Sequence, residues 1–308
     1  TAPLPERNSS VAEADAAPIL LVISDIETNG AFVTDTEESL DAAGIHWETV
    51  RYGGTAPDFY LPSASGASDV WERAFGVINS FLDDAEMGGT PGTMDPGSAV
   101  PQNITIVSPY MYMDGDVQLE GYLAYPSDLN ASEVATPLVV VLPDWDGLNE
   151  YEFKRVRMLA EMGYVALGAD IYALPIGTTV SNQTERIQFV TEYRGDAPKY
   201  VQRIRAAADA PKALPFVNSS AIGVIGYCFG GSGVVFDAMD DSTLQVDVSF
   251  HGGLGSRPNI TTTPPMKPYL SYQSGGADET PEEIAWLQDT LTEMGGDWDI
   301  TRYSMVEH

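Results

Sequence analysis

Residues 221–232 read Ala-Ile-Gly-Val-Ile-Gly-Tyr-Cys-Phe-Gly-Gly-Ser, an apolar run that breaks into glycines around the only cysteine, Cys228. The run up to 226 has the composition of a buried strand, and a helix is predicted over 230–239, so Cys228 stands at a strand-to-helix turn. Glycines flank such a turn because the central residue is strained and side chains two positions away would collide with strand or helix. This is the geometry of a nucleophile elbow with cysteine in the place of serine. The following helix points its N-terminus at the sulfur, which predicts a bias toward thiolate. The plainer alternative is a small buried hydrophobe.

Outward from this turn, strands are predicted at 137–142, 163–168, 221–226, 245–250, 268–273 and 298–303. Helices are predicted at 150–162, about 198–209, 230–239 and 281–294, and a hairpin of 103–113 and 117–125 turns at Asp114-Gly115. Strict alternation of this kind gives an α/β fold, a doubly wound, mainly parallel sheet with helices on both faces. Upstream, strand 19–24, helix 33–43, strand 46–52 and helix 69–84, with Val70, Phe75, Val77, Ile78 and Phe81 apolar, precede a Gly/Pro-rich linker at 89–102.

An elbow of this type requires a carboxylate and a histidine after the nucleophile, in that order. Asp278 follows strand 268–273 and His308 follows strand 298–303. The other histidines fit less well: His46 opens an upstream strand, and His251 ends strand 245–250, where packing or a loop hydrogen bond is expected.

These residues together resemble the dienelactone hydrolases of the α/β-hydrolase superfamily, over residues 103–308. The resemblance rests on Gly226-Tyr227-Cys228-Phe229-Gly230-Gly231, the Asp278 loop, His308 and the segment Val139-Val140-Val141-Leu142-Pro143-Asp144-Trp145-Asp146-Gly147. It implies a Cys228–His308–Asp278 triad acting on a small ester or lactone, with no metal or organic cofactor. It also implies that Asp144 stands where the family has a Glu against the resting thiol, that the N–H groups of Trp145 and Phe229 form the oxyanion hole, and that Tyr172 lines the pocket. Asp144 is one methylene shorter than that Glu, and a loop-capping carboxylate is its alternative reading.

An internal repeat is visible as well. Leu40, Gly44, Trp47, Arg51 and Tyr52 match Leu291, Gly295, Trp298, Arg302 and Tyr303 at one offset, 291 − 40 = 251. Residues 1–88 therefore read as the C-terminal part of a preceding copy, and 103–308 as a second copy without its final helix. A longer tandem array, or neighbouring chains that complete each other's domains, is the expected context. The same offset sets Glu27 on Asp278 and Pro57 on His308, so the preceding copy lacks a base.

The 308 residues carry 15 Lys plus Arg against 45 Asp plus Glu, a net charge of −30. Such a chain is repelled by nucleic acid and anionic lipid. No apolar run approaches the roughly 20 residues that span a bilayer. Six Asn-x-Ser/Thr acceptors, Asn8, Asn103, Asn130, Asn182, Asn218 and Asn259, favour a secreted glycoprotein. A single cysteine excludes an intrachain disulfide. Two functions are consistent with all this: an extracellular cysteine hydrolase, or a structural array of hydrolase-like repeats forming a fibre or coat, with copies of itself as partners.

Overall fold

The structure is a computed structural model that describes residues 19–24, 30–43, 47–53, 103–129, 135–240, 242–258, 265–275 and 278–304. The N-terminal elements are β1 (Ile19–Ser24), α1 (Gly30–Ala42) and β2 (Trp47–Gly53). They are followed by β3 (Ile104–Asp114), β4 (Val117–Pro126), β5 (Thr136–Leu142), α2 (Glu150–Glu161), β6 (Val165–Gly168), α3 (Gln183–Gly195) and α4 (Ala197–Asp209). The remainder comprises β7 (Val217–Tyr227), α5 (Phe229–Ala238), β8 (Val246–Phe250), β9 (Tyr269–Gly275), α6 (Pro281–Glu293) and β10 (Trp298–Tyr303).

Among the described residues, ten strands join one sheet in the order β1-β2-β10-β9-β8-β7-β5-β6-β4-β3. The block from β6 through β5, β7, β8 and β9 to β10 is parallel. The β3–β4 hairpin is antiparallel to it at one end, and β2 runs antiparallel to β10 at the other. The expected doubly wound α/β sheet is therefore present. Its central strand β5 is apolar on both faces: Leu138 and Val140 belong to one core, with Tyr200, Phe229, Phe236 and Leu287. Val139 and Val141 belong to the other, with Val156, Leu159 and Ala160 of α2. Two-faced burial is why the strand reads as a continuous hydrophobic run.

Element positions agree with the sequence reading to within a few residues, with one omission. Helix α3 was not anticipated. It buries only Tyr193 and exposes both of its glutamates, so no apolar stripe marks it, and its start is set by Asn182, whose side chain accepts the N–H groups of Thr184 and Glu185. The predicted helix 69–84 and the linker 89–102 lie outside the described residues, as do His308, Asn8, Asn130 and Asn259.

Candidate active site

Strand β7 delivers Cys228 to the edge of the sheet at φ 52° and ψ −108°, immediately before α5. A positive φ on a residue with a Cβ is strained and must be held by its surroundings. The Cys228 N–H donates to the Phe250 carbonyl at 3.0 Å, and the Cys228 carbonyl accepts from Ser232 N–H at 3.2 Å. Close backbone approach explains the glycines. A Cβ on Gly230 would lie 2.6 Å from the carbonyl oxygens of both Leu142 and Pro143. The first turn of α5 is thus pressed directly against the end of β5, the strand that leads into Asp144 and Trp145.

Burial pushes the Cys228 thiol up. The Arg194 guanidinium and the Phe229 N–H, which hydrogen-bonds the sulfur, pull it back, while Asp144 and Asp278 push it further up. The net direction is upward, against the expected thiolate bias: desolvation and two carboxylates outweigh the Arg194 guanidinium and the Phe229 N–H. Alkylation of Cys228 by iodoacetamide is therefore expected to titrate above the free-cysteine value of about 8.5. Arg194→Met should move the midpoint higher and Asp144→Asn should move it lower. A midpoint below that of free cysteine, read by mass spectrometry across pH, would contradict this account.

Arg194, which sequence reasoning missed, ends helix α3. Its Nη2 donates to Ser232 Oγ at 2.7 Å, and that hydroxyl lies 3.1 Å from the Gly253 carbonyl, to which it donates. The same helix supplies Phe189, stacked on Tyr172 with centroids 4.2 Å apart, and Arg186, which lies over the Trp145 ring at 5.2 Å. Tyr172 is buried beside Phe229 and donates to the Trp145 carbonyl at 3.3 Å. Tyr172 thus links the Trp145 loop to Phe229. Asn182, which caps the start of α3, was the only local signal for that helix.

Asp144 does cap its loop: Oδ1 accepts the Asp146 N–H at 2.9 Å. Its charge also reaches Cys228 and pushes the thiol up. Behind the loop, Glu152 Oε2 accepts Asn149 N–H at 3.0 Å and Oε1 accepts Asp144 N–H at 3.4 Å. Glu152 is fully buried, and burial, helped by Asp144, pushes its carboxyl up to about 8, while burial and Asp144 push Asp146 up to about 6.

A carboxyl whose folded pKa lies above the unfolded value keeps a proton that the unfolded chain releases. Stability is therefore lost as pH rises from about 4.3, the unfolded value, through 8. The protein is therefore expected to be less stable near pH 8 than near pH 4 through this group, and Glu152→Gln, which removes the titrating group, is expected to flatten that dependence, though it leaves one of the two backbone N–H groups without an acceptor. Chemical denaturation at the two pH values checks this.

Asp278 follows β9, with its Oδ2 accepting the Gly275 N–H at 2.8 Å, and its charge reaches Cys228. Glu279 beside it is buried, and burial pushes its carboxyl up to about 7. His251 ends β8 at φ 41°, its N–H donating to the Gln273 carbonyl at 2.7 Å. Cys228, Asp144, Asp278, Trp145, Phe229 and Tyr172 are thus gathered at the C-terminal rim of the parallel strands, where open α/β sheets bind ligands.

A strained cysteine turn on a parallel sheet sandwiched by helices defines an α/β-hydrolase. The chain belongs to the Dienelactone hydrolase family, whose sequence profile matches residues 119–308. It is 26% identical over 152 residues to the carboxymethylenebutenolidase of Pseudomonas putida, covering 48% of this chain and 63% of that one, less than two thirds of its length. The dienelactone hydrolase-like promiscuous phosphotriesterase P91, from metagenomic libraries, superposes with a TM-score of 0.59 at 27% identity, over 67% of this chain and 84% of P91. A structure described as m3DLH gives 0.61 at 27% identity, with the same two coverages.

Proposed function

We propose that residues 103–308 hydrolyse small carboxylic esters or lactones through Cys228, His308 and Asp278. The observation that carries this is the elbow itself: a cysteine at φ 52° between β7 and α5, with the Phe229 N–H on its sulfur. His308 takes the thiol proton as Sγ attacks the carbonyl carbon, and Asp278 holds the imidazole in the accepting tautomer. The N–H groups of Phe229 and Trp145 hold the developing oxyanion. Collapse breaks the ester C–O bond, and the leaving alkoxide takes the proton from His308. Water, deprotonated by His308, then cleaves the thioester and frees the carboxylic acid and Cys228. The chemistry uses the chain's own side chains and needs no metal or organic cofactor.

Cys228→Ala is expected to lower turnover of p-nitrophenyl acetate and of a dienelactone by at least about 10³-fold with the fold intact, and His308→Ala by a comparable factor. Undiminished hydrolysis by Cys228→Ala would overturn the assignment.

The sequons support secretion and N-glycosylation as part of the same reading. Asn103 and Asn182 are exposed, and Asn218 is half-buried. Asn182 and Asn218 accept backbone N–H groups through Oδ1, which leaves Nδ2, the atom a glycan modifies, available. A glycosidase-sensitive mass shift after expression in eukaryotic cells tests this. The pairing of β2 with β10 supports a second reading, in which hydrolase repeats are joined into an extracellular array.

A further inference from the structure

The strand–helix–strand units at 19–53 and 269–303 share one register. Ile19 pairs with Trp47 in β1–β2, Leu270 pairs with Trp298 in β9–β10, and adding 251 to the first pair gives the second. Where the units meet, Thr301 of β10 stands opposite Val50 of β2, its own counterpart (301 − 251 = 50). The flanking pairs exchange in the same way: Ile300 faces Arg51 while Arg302 faces Thr49. An antiparallel pair in which a residue faces its own equivalent has a two-fold axis normal to the sheet at that point, the symmetry of an isologous contact.

The side chains at this seam include residues that recur in both units. The Trp47 N–H donates to Ser304 Oγ at 2.6 Å, and the Ser304 N–H donates to the Trp47 carbonyl at 2.9 Å. Glu37 of α1 accepts from Arg51 at 2.9 Å, from the Thr49 hydroxyl at 2.6 Å and from Arg302. Gln288 of α6, the counterpart of Glu37 (37 + 251), accepts from Arg51 at 3.4 Å. Glu37, Thr49, Arg51, Gln288 and Arg302 are all buried. Two arginines related by the axis therefore share one carboxylate, and the position that would carry a second is an amide.

We infer that β10 and α6 form a self-complementary edge whose partner is the terminal strand–helix–strand unit of a second hydrolase repeat, and that residues 19–53 are such a unit seated on it. The seam is a two-fold domain interface carried within one chain. By the same equivalence β1 holds the place of β9, whose other neighbour is β8, so the outer edge of β1 fits a parallel strand of the β8 type from that second repeat.

The test uses the full chain with Cys228→Ser, so that introduced cysteines are the only thiols. Val50→Cys with Thr301→Cys is expected to close an intrachain disulfide on mild oxidation, since directly opposed antiparallel Cα atoms lie about 4.5–5.5 Å apart. Thr301→Cys alone is expected to stay monomeric. A Thr301→Cys covalent dimer would show a second chain's β10 on the edge and would overturn the placement of 19–53.

Adding Glu37→Gln to the double-cysteine chain is expected to abolish the cross-link. Adding Gln288→Glu as well is expected to restore it, because the two-fold exchanges the two positions. Amide exchange in β5 and β7 reports whether the hydrolase core remains folded throughout. Failure of the Glu37→Gln, Gln288→Glu pair to cross-link while β5 and β7 stay protected would overturn the two-fold relation, as would a cross-link indifferent to Glu37.

Discussion

Gly226→Ala is expected to eliminate ester hydrolysis and to cost more than about 3 kcal/mol of stability. A Cβ at this position would lie 2.3 Å from the Gly230 carbonyl oxygen, 2.4 Å from its carbon and 2.9 Å from the Gly231 nitrogen. All three are backbone atoms, so no rotamer change relieves the overlap. The first turn of α5 would have to move, and that turn presents the Phe229 N–H to the sulfur. It cannot withdraw toward β5, because Gly230 is already packed on the Leu142 and Pro143 carbonyls. Gly115 in the β3–β4 turn is the control: alanine there meets nothing within 4 Å and has only its φ of 57° to sustain, a cost of about 1 kcal/mol. Denaturant unfolding and an ester assay on both variants separate the two cases. A folded, active Gly226→Ala protein would show that the elbow is not under steric constraint.

Glu37→Leu is expected to cost the docking of the N-terminal unit about 3–5 kcal/mol, the range for removing one partner from a buried ion pair. Burial already pushes the Arg51 guanidinium down, and Arg302 adds to this, while Glu37 opposes both. Without the carboxylate, two buried cations face each other across the seam. Amide exchange should then become fast in α1 and β2 and stay slow in β5 and β7. Unchanged protection of Trp47–Gly53 in the variant would remove Glu37 from any part in holding β2.

Much of this molecule is legible from sequence because its central strands are two-faced. Residues 138–142 and 222–226 pack against helices on both sides, so their apolar runs are unbroken and the cysteine turn stands out against them. Cys228, Asp278 and the Asp144–Trp145 loop could be found because each follows closely on such a strand. Helix α3 could not, since its contribution is aromatic stacking and two arginines rather than an apolar stripe, and Arg194 was lost with it. The direction of the Cys228 shift was misread for a related reason. A helix N-terminus is visible in the sequence, whereas the depth of the sulfur and the nearness of two carboxylates exist only in three dimensions.

The opposed directions of β2 and β10 also decide which way the strand ends of each unit point. The crevice of an open α/β sheet lies beyond the carboxyl ends of its parallel strands. Strands β9 and β10 send those ends toward the Cys228 rim, and β1 and β2 send theirs toward the opposite rim. Six-residue strands span about 20 Å, so mouths of adjoining units would open on opposite sides of a shared wall, at least that far apart. If both units acted as proposed, a product leaving one mouth would enter solvent rather than its neighbour. Under such an arrangement, a change at one unit's mouth would leave the other's surroundings untouched.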